Sequence, residues 1–161
     1  MAHLEPDRVL RTLRLIVAAM ILGVAGFAAV VVVLVSRGFP PHAAGLGRLL
    51  LLALGVLAVA EAQTYATVRA LIVRRLRRAA EERGPDDVPV EDLAGSLNTI
   101  TLLGAALVEG ASLFALVTVL VTGQWVALAA AAVGLLLLLW LLPTHGRFSA
   151  FVAQVTGSGY R

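Results

Sequence analysis

The sequence predicts an all-α integral membrane protein: a bundle of four transmembrane helices with both termini in the cytoplasm. Of the 161 residues, 60% are hydrophobic and 14% charged, with a mean hydropathy of +0.93, whereas soluble domains run near 25% charged. Four apolar windows meet or approach the roughly 20 residues that a helix needs to cross about 30 Å of hydrocarbon. All 13 Lys-plus-Arg residues are arginine, and they fall mostly on one side of those windows.

The first window, Leu15–Val35, is uncharged throughout. It is longer than the apolar core of a signal peptide, about 7–15 residues, and so reads as a span. Leu49–Val68 is interrupted only by Glu61, and Leu97–Val121 only by Glu109. Trp125–Leu142 is shorter and stops at Pro143, a helix terminator. Ser36–Arg48 is a Pro/Gly-rich turn and Thr122–Gln124 a tight reversal, whereas Arg69–Gly95 is long and polar and opens with RALIVRRLRR. Arg37 and Arg48 lie on one side; the other 11 arginines lie before span one, in residues 69–95 or after span four. The positive-inside rule then places both termini and the 69–95 loop in the cytoplasm, for a multi-pass protein of the bacterial inner (cytoplasmic) membrane. That loop changes sign from RRLRR to EERGPDDVPVED. It reads as amphipathic extensions of the flanking helices, with Asp86, Asp87 and Pro89 as start signals for span three. The whole chain, 1–161, is one membrane domain.

A formal charge of +3 and a pI near 10.5 would point to nucleic acid in a soluble chain. Here the arginines flank apolar spans, where they set topology and meet lipid headgroups, so the lipid bilayer is the expected partner and nucleic acid is not. The absence of cysteine excludes disulfides, thiolate metal ligands and cysteine nucleophiles. Ser36, Ser96, Ser112, Ser149 and Ser158 have no histidine at matching depth, because His3, His42 and His145 fall in tails or loops. Neither an enzyme, a cofactor nor a metal site is expected.

Helices in lipid associate through small residues and hydrogen bonds, since lipid tails are as apolar as leucine. Small residues four apart occur at Ala19/Gly23 in span one, and at Ala127/Ala131 and Ala130/Gly134 in span four. In span three, Asn98, Thr101, Ala105, Glu109 and Ser112 follow at spacings that keep them on one helical face, which must look into the bundle or at a partner. In span two, Glu61 shares a face with Thr64 and Tyr65. Glu61 is equidistant from Arg48 and Arg74, and Glu109 from Ser96 and Thr122, so both carboxylates sit near the midplane. If spans two and three are neighbours, the acids can meet at one level. A charge at the bilayer centre costs about 2.5–3.5 kcal/mol or more. Each acid is therefore expected to rest neutral, or the two to share one proton. Glu109, Glu61, Ser112, Thr64, Tyr65 and Asn98 are the candidates for an ion or proton site; the same residues can serve only as interhelical hydrogen-bond glue.

Residues 105–123, AALVEGASLFALVTVLVTG, resemble the carboxylate-bearing outer helix of the rotary ATPase c subunit: small residues, a midmembrane Glu, then an aromatic and aliphatic tail. That resemblance implies that Glu109 carries a proton or sodium ion. The chain differs from that family in its two additional spans, in lacking repeated glycines in span two, and in lacking the short Arg-Gln/Asn-Pro turn. The whole chain also looks like small four-span bacterial proteins with a similar AEG or AES third helix.

With no cofactor motif and only short outer loops, the chain is expected to be an accessory, structural or assembly subunit of a membrane complex, or a homo-oligomer. The alternative is a proton- or cation-responsive protein using Glu61 and Glu109. A subunit should turn an Ala/Gly face outward; a self-contained carrier should turn its acids inward or toward an identical copy.

Overall fold

The computed structural model describes residues 6–39, 44–84 and 89–156, and these are helical throughout apart from short connections. The helices are α1 (Pro6–Ser36), α2 (Gly47–Arg83), α3 (Val90–Thr122), α4 (Val126–Leu141) and α5 (His145–Thr156), with a single 3-10 turn at Ala44–Leu46 before α2. Three of them, α1 to α3, are long and apolar enough to cross a membrane, and a fourth span arises if α4 and α5, bent by 75°, count as one. The protein is thus a multi-pass, all-helical membrane protein. Arg8, Asp86, Asp87, His3, His42, His145 and Ser158, all singled out in the sequence, lie outside the residues whose side chains are described.

The connections follow local chemistry. Gly123 ends α3 in the left-handed region (φ 69°), its N–H donating to the Val119 carbonyl at 2.8 Å, and the chain reverses into α4 within two residues. Pro89 caps the start of α3, with Glu91 and Asp92 in its first turn, where the helix dipole favours acids. At the same end as Gly123, the Gln124 amide lies over Gly47 at the start of α2, where a β-carbon would have to push that amide aside.

Helix α3 is the hub. Some 39% of its span is buried, against 6% of that of α2, because α1, α2 and α4 all pack on α3 while α2 packs on neither α1 nor α4 to any extent. In α1 the inward stripe repeats every seven residues, Leu10, Val17, Val24 and Val31, the narrow seam expected of near-parallel helices. It meets Ala105, Leu116 and Val119 of α3 and Ala127, Ala131 and Leu138 of α4. In α4, Ala127, Ala131 and Gly134 are buried inside the bundle, Gly134 against Ser112 of α3, whereas Ala129, Ala130 and Ala132 are exposed.

At the arginine-rich end a second core forms from Val73, Leu76 and Ala80 of α2, Leu93 and Ile100 of α3, and Phe151, Val152 and Val155 of α5. Helix α5 is the element that the apolar windows do not reveal. Its Phe148, Phe151, Val152 and Val155 recur with helical period, but at 12 residues it is too short to register as a span. Residues 69–95 extend the flanking helices as expected, since α2 runs to Arg83 and α3 begins at Val90. The α2 extension is also covered on one face by α5 rather than solvated all round. The end of α4 is held by the Arg14 Nε, which donates to the Pro143 carbonyl at 2.8 Å, and by the Arg147 guanidinium lying 4.2 Å from the centre of the Trp140 ring.

Candidate functional site

The polar face of α3 turns partly inward. Thr101, Ala105 and Ser112 are buried, while Asn98 and Glu109 lie half-buried along its edge. Ser112 is wedged against Gly134 of α4 and donates to the Val108 carbonyl of its own helix at 2.7 Å. Further along, Thr118 donates to the Phe114 carbonyl and Thr122 to the Thr118 carbonyl. Each hydroxyl is satisfied four residues back, so none has to cross to another helix. Thr64 behaves alike: it is exposed and donates to the Ala60 carbonyl at 2.8 Å. The expected bonds from Thr64 and Ser112 to the glutamates are therefore not what these hydroxyls make.

Both glutamates are half-buried rather than fully enclosed, and no acidic residue is buried among the described residues. Each lies over a glycine of a neighbouring helix. Glu61 Oε1 is 3.8 Å from where a β-carbon on Gly110 of α3 would stand, and Glu109 Oε1 is 3.9 Å from the same point on Gly23 of α1. Tyr65, one turn below Glu61, fits over Gly104 of α3, with its Cε2 2.8 Å from the β-carbon position. Glycine lets a polar side chain lie flat on the next helix, shielding it from lipid without a hydrogen bond. Neither carboxylate has a hydrogen-bond or ion-pair partner among the described residues.

The two acids stand at one level, since Glu61 reaches the residue next to Glu109. They lie on different sides of α3, because Glu61 of α2 rests on Gly110 while Glu109, about 100° round the helix from Gly110, turns toward Gly23 of α1. Between them lies an open face of α3 with Ala106, Gly110 and Val117 exposed. On the α1 side Ala19 and Gly23 are exposed as well. The result is a shallow trough floored by small residues, with one carboxylate on each flank.

On the opposite flank of α2, a groove of about 420 Å³ runs between α2, α3 and α4. Glu61, Tyr65 and Ser112 line it together with Trp140, whereas Glu109, Asn98 and Thr64 do not. Trp140 is not among the residues that the sequence singles out; its place near the end of the fourth apolar window is the available signal. Among the described residues no three His, Asp or Glu side chains gather as a metal site would require. No protein-family model matches this chain, and no curated protein or solved structure is significantly similar to it.

Proposed function

We propose that the chain is a non-catalytic accessory or assembly subunit of a larger complex in the bacterial inner membrane, with its termini and arginine-rich end cytoplasmic. In this reading it receives one transmembrane helix of a partner in the trough between α1 and α2. One observation carries the proposal. The small residues Ala127, Ala131 and Gly134 are consumed inside the bundle, while Ala19 and Gly23 of α1 and Ala106 and Gly110 of α3 are left facing outward. Small residues let helix backbones approach closely in lipid, where packing and hydrogen bonds are what hold helices together. The unpartnered Glu61 and Glu109 define the occupant's chemistry: a helix with a hydrogen-bond donor or a cationic side chain at mid-depth.

Photo-crosslinking in native membranes tests this. A photoreactive side chain at Ala106 should give a discrete adduct that the same group at Val56, exposed on α2, does not. Gly110→Leu, which fills the trough, should abolish the adduct. Glu109→Gln should keep it, because the amide still hydrogen-bonds. An adduct of twice the chain mass identifies a second copy as the occupant; lipid adducts alone at Ala106 refute the reading.

A second reading, a proton- or cation-responsive protein, is favoured by the two unpartnered carboxylates at one level. It predicts loss of function with Glu109→Gln, and dicyclohexylcarbodiimide labelling of Glu109 or Glu61 that sodium blocks.

A further inference from the structure

Below Tyr65, the arginine-rich half of α2 forms a second cleft, of about 480 Å³, lined by Arg69, Arg74 and Arg77 and closed by Gln154 of α5. Two of the guanidiniums are held in place. Arg69 Nη2 donates to Gln154 Oε1 at 3.4 Å, and Arg77 donates from Nε and Nη2 to the Gln154 carbonyl at 3.2 and 3.1 Å. Arg74 has no hydrogen-bond or ion-pair partner among the described residues, and no carboxylate lines the cleft. Three positive charges therefore converge on a cleft with no counter-charge of its own.

Tyr65 lines this cleft and also the groove between α2, α3 and α4. A cationic cleft and an apolar channel thus meet at one side chain. Depth fits the same picture. At 1.5 Å per residue, Arg69 and Arg74 lie about 12 and 20 Å along α2 from Glu61, bracketing the edge of a hydrocarbon layer about 15 Å thick on each side of the midplane. Tyr65, about 6 Å along α2 from Glu61 on the arginine side, and Trp140 of α4 both line the groove.

We propose that this composite surface binds one anionic phospholipid. Its phosphate sits among Arg69, Arg74 and Arg77, and one acyl chain lies in the groove from Tyr65 toward Leu54. Guanidinium groups match phosphate oxygens in charge and in fork geometry. The apolar walls, chiefly Leu54, Leu107, Val133 and Leu137, take a hydrocarbon chain that a soluble anion lacks. A zwitterionic headgroup would bring its own ammonium among three guanidiniums and is disfavoured.

The test is native mass spectrometry of the full chain released from nanodiscs of equimolar phosphatidylglycerol and phosphatidylcholine. The wild type should retain phosphatidylglycerol. Arg74→Gln should reduce that retention about tenfold, the effect of losing one charge-assisted contact. Ala62→Phe, which fills the groove and leaves the arginines intact, should reduce it comparably, and excess inorganic phosphate should not displace the lipid. Equal retention of the two lipids overturns the proposal, as does unchanged retention in Arg74→Gln. Displacement by phosphate, with no effect of Ala62→Phe, assigns the cleft to a free anion instead. Ala62 is exposed, so its variant decides the matter alone should Arg74→Gln fail to fold.

Discussion

Helices α4 and α2 both pack on α3 through glycine, but the glycine stands on opposite sides of the two seams. Between α3 and α4 it belongs to the outer helix: Gly134 of α4 receives Ser112, a small side chain of the hub. The backbones close up, and Ala127 and Ala131 are sealed alongside. Between α3 and α2 the glycines belong to the hub, and Gly104 and Gly110 receive the large side chains Tyr65 and Glu61. A long side chain laid on a glycine holds the helices apart, so this seam has a groove on one flank and a trough on the other. The number of glycines in a seam thus says little about how tight it is; the size of what they receive decides.

One substitution, Gly→Ala, placed at three positions separates these cases. The largest effect is expected at Gly134, where the new methyl would overlap Ser112 Oγ and lie 3.2 Å from Ser112 Cβ. Ser112 is 1% exposed and donates to the Val108 carbonyl at 2.7 Å, a bond that its displacement would break, so Gly134→Ala should destabilise by about 2–3 kcal/mol in an SDS unfolding titration in mixed micelles. Ser112→Gly should recover much of that loss, a coupling that distant sites would not show. At Gly104 the added carbon meets the Tyr65 ring at 2.8 Å. The ring borders the groove and can swing into it, so Gly104→Ala should cost only about 1 kcal/mol. A loss as large as that at Gly134 would mean that the α2 seam is as rigid as the α4 seam. At Gly110 the nearest atom is at 3.8 Å, an ordinary contact. Gly110→Ala should be neutral, or stabilising by up to about 1 kcal/mol through helix propensity; clear destabilisation there would show that the trough is already filled.

This contrast also marks the limit of what the sequence makes legible. The apolar runs, the interruptions at Glu61 and Glu109, and the reversal at Gly123 are visible because hydropathy and turn chemistry are local. Depth is legible too, by counting residues from the ends of a run. Rotation about the helix axis is not. Which of 15 glycines faces a neighbour depends on how α4 and α1 fix the orientation of α3, and that is settled by packing at Leu116, Val119 and Leu138 rather than near the acids. The same gap hides the separation of Glu61 from Glu109, which depth alone would allow to meet. Helix α5 escapes for a different reason: its partners, Val73, Leu76 and Leu93, are distant in sequence, and 12 residues of mixed polarity draw no attention in a search for spans.

Helix α2 is a single uninterrupted rod of 37 residues, held in the second core by Val73, Leu76 and Ala80 and seated on its hub near mid-depth by two flat side chains. Its arginine end lies some 22 residues beyond Glu61, about 33 Å away along the axis. A tilt of only about 5° at that seat would swing the backbone at Arg83 by about 3 Å, carrying with it the face on which α5 rests. A change in what occupies the groove or the trough therefore reaches that charged surface only by carrying the second core along with it.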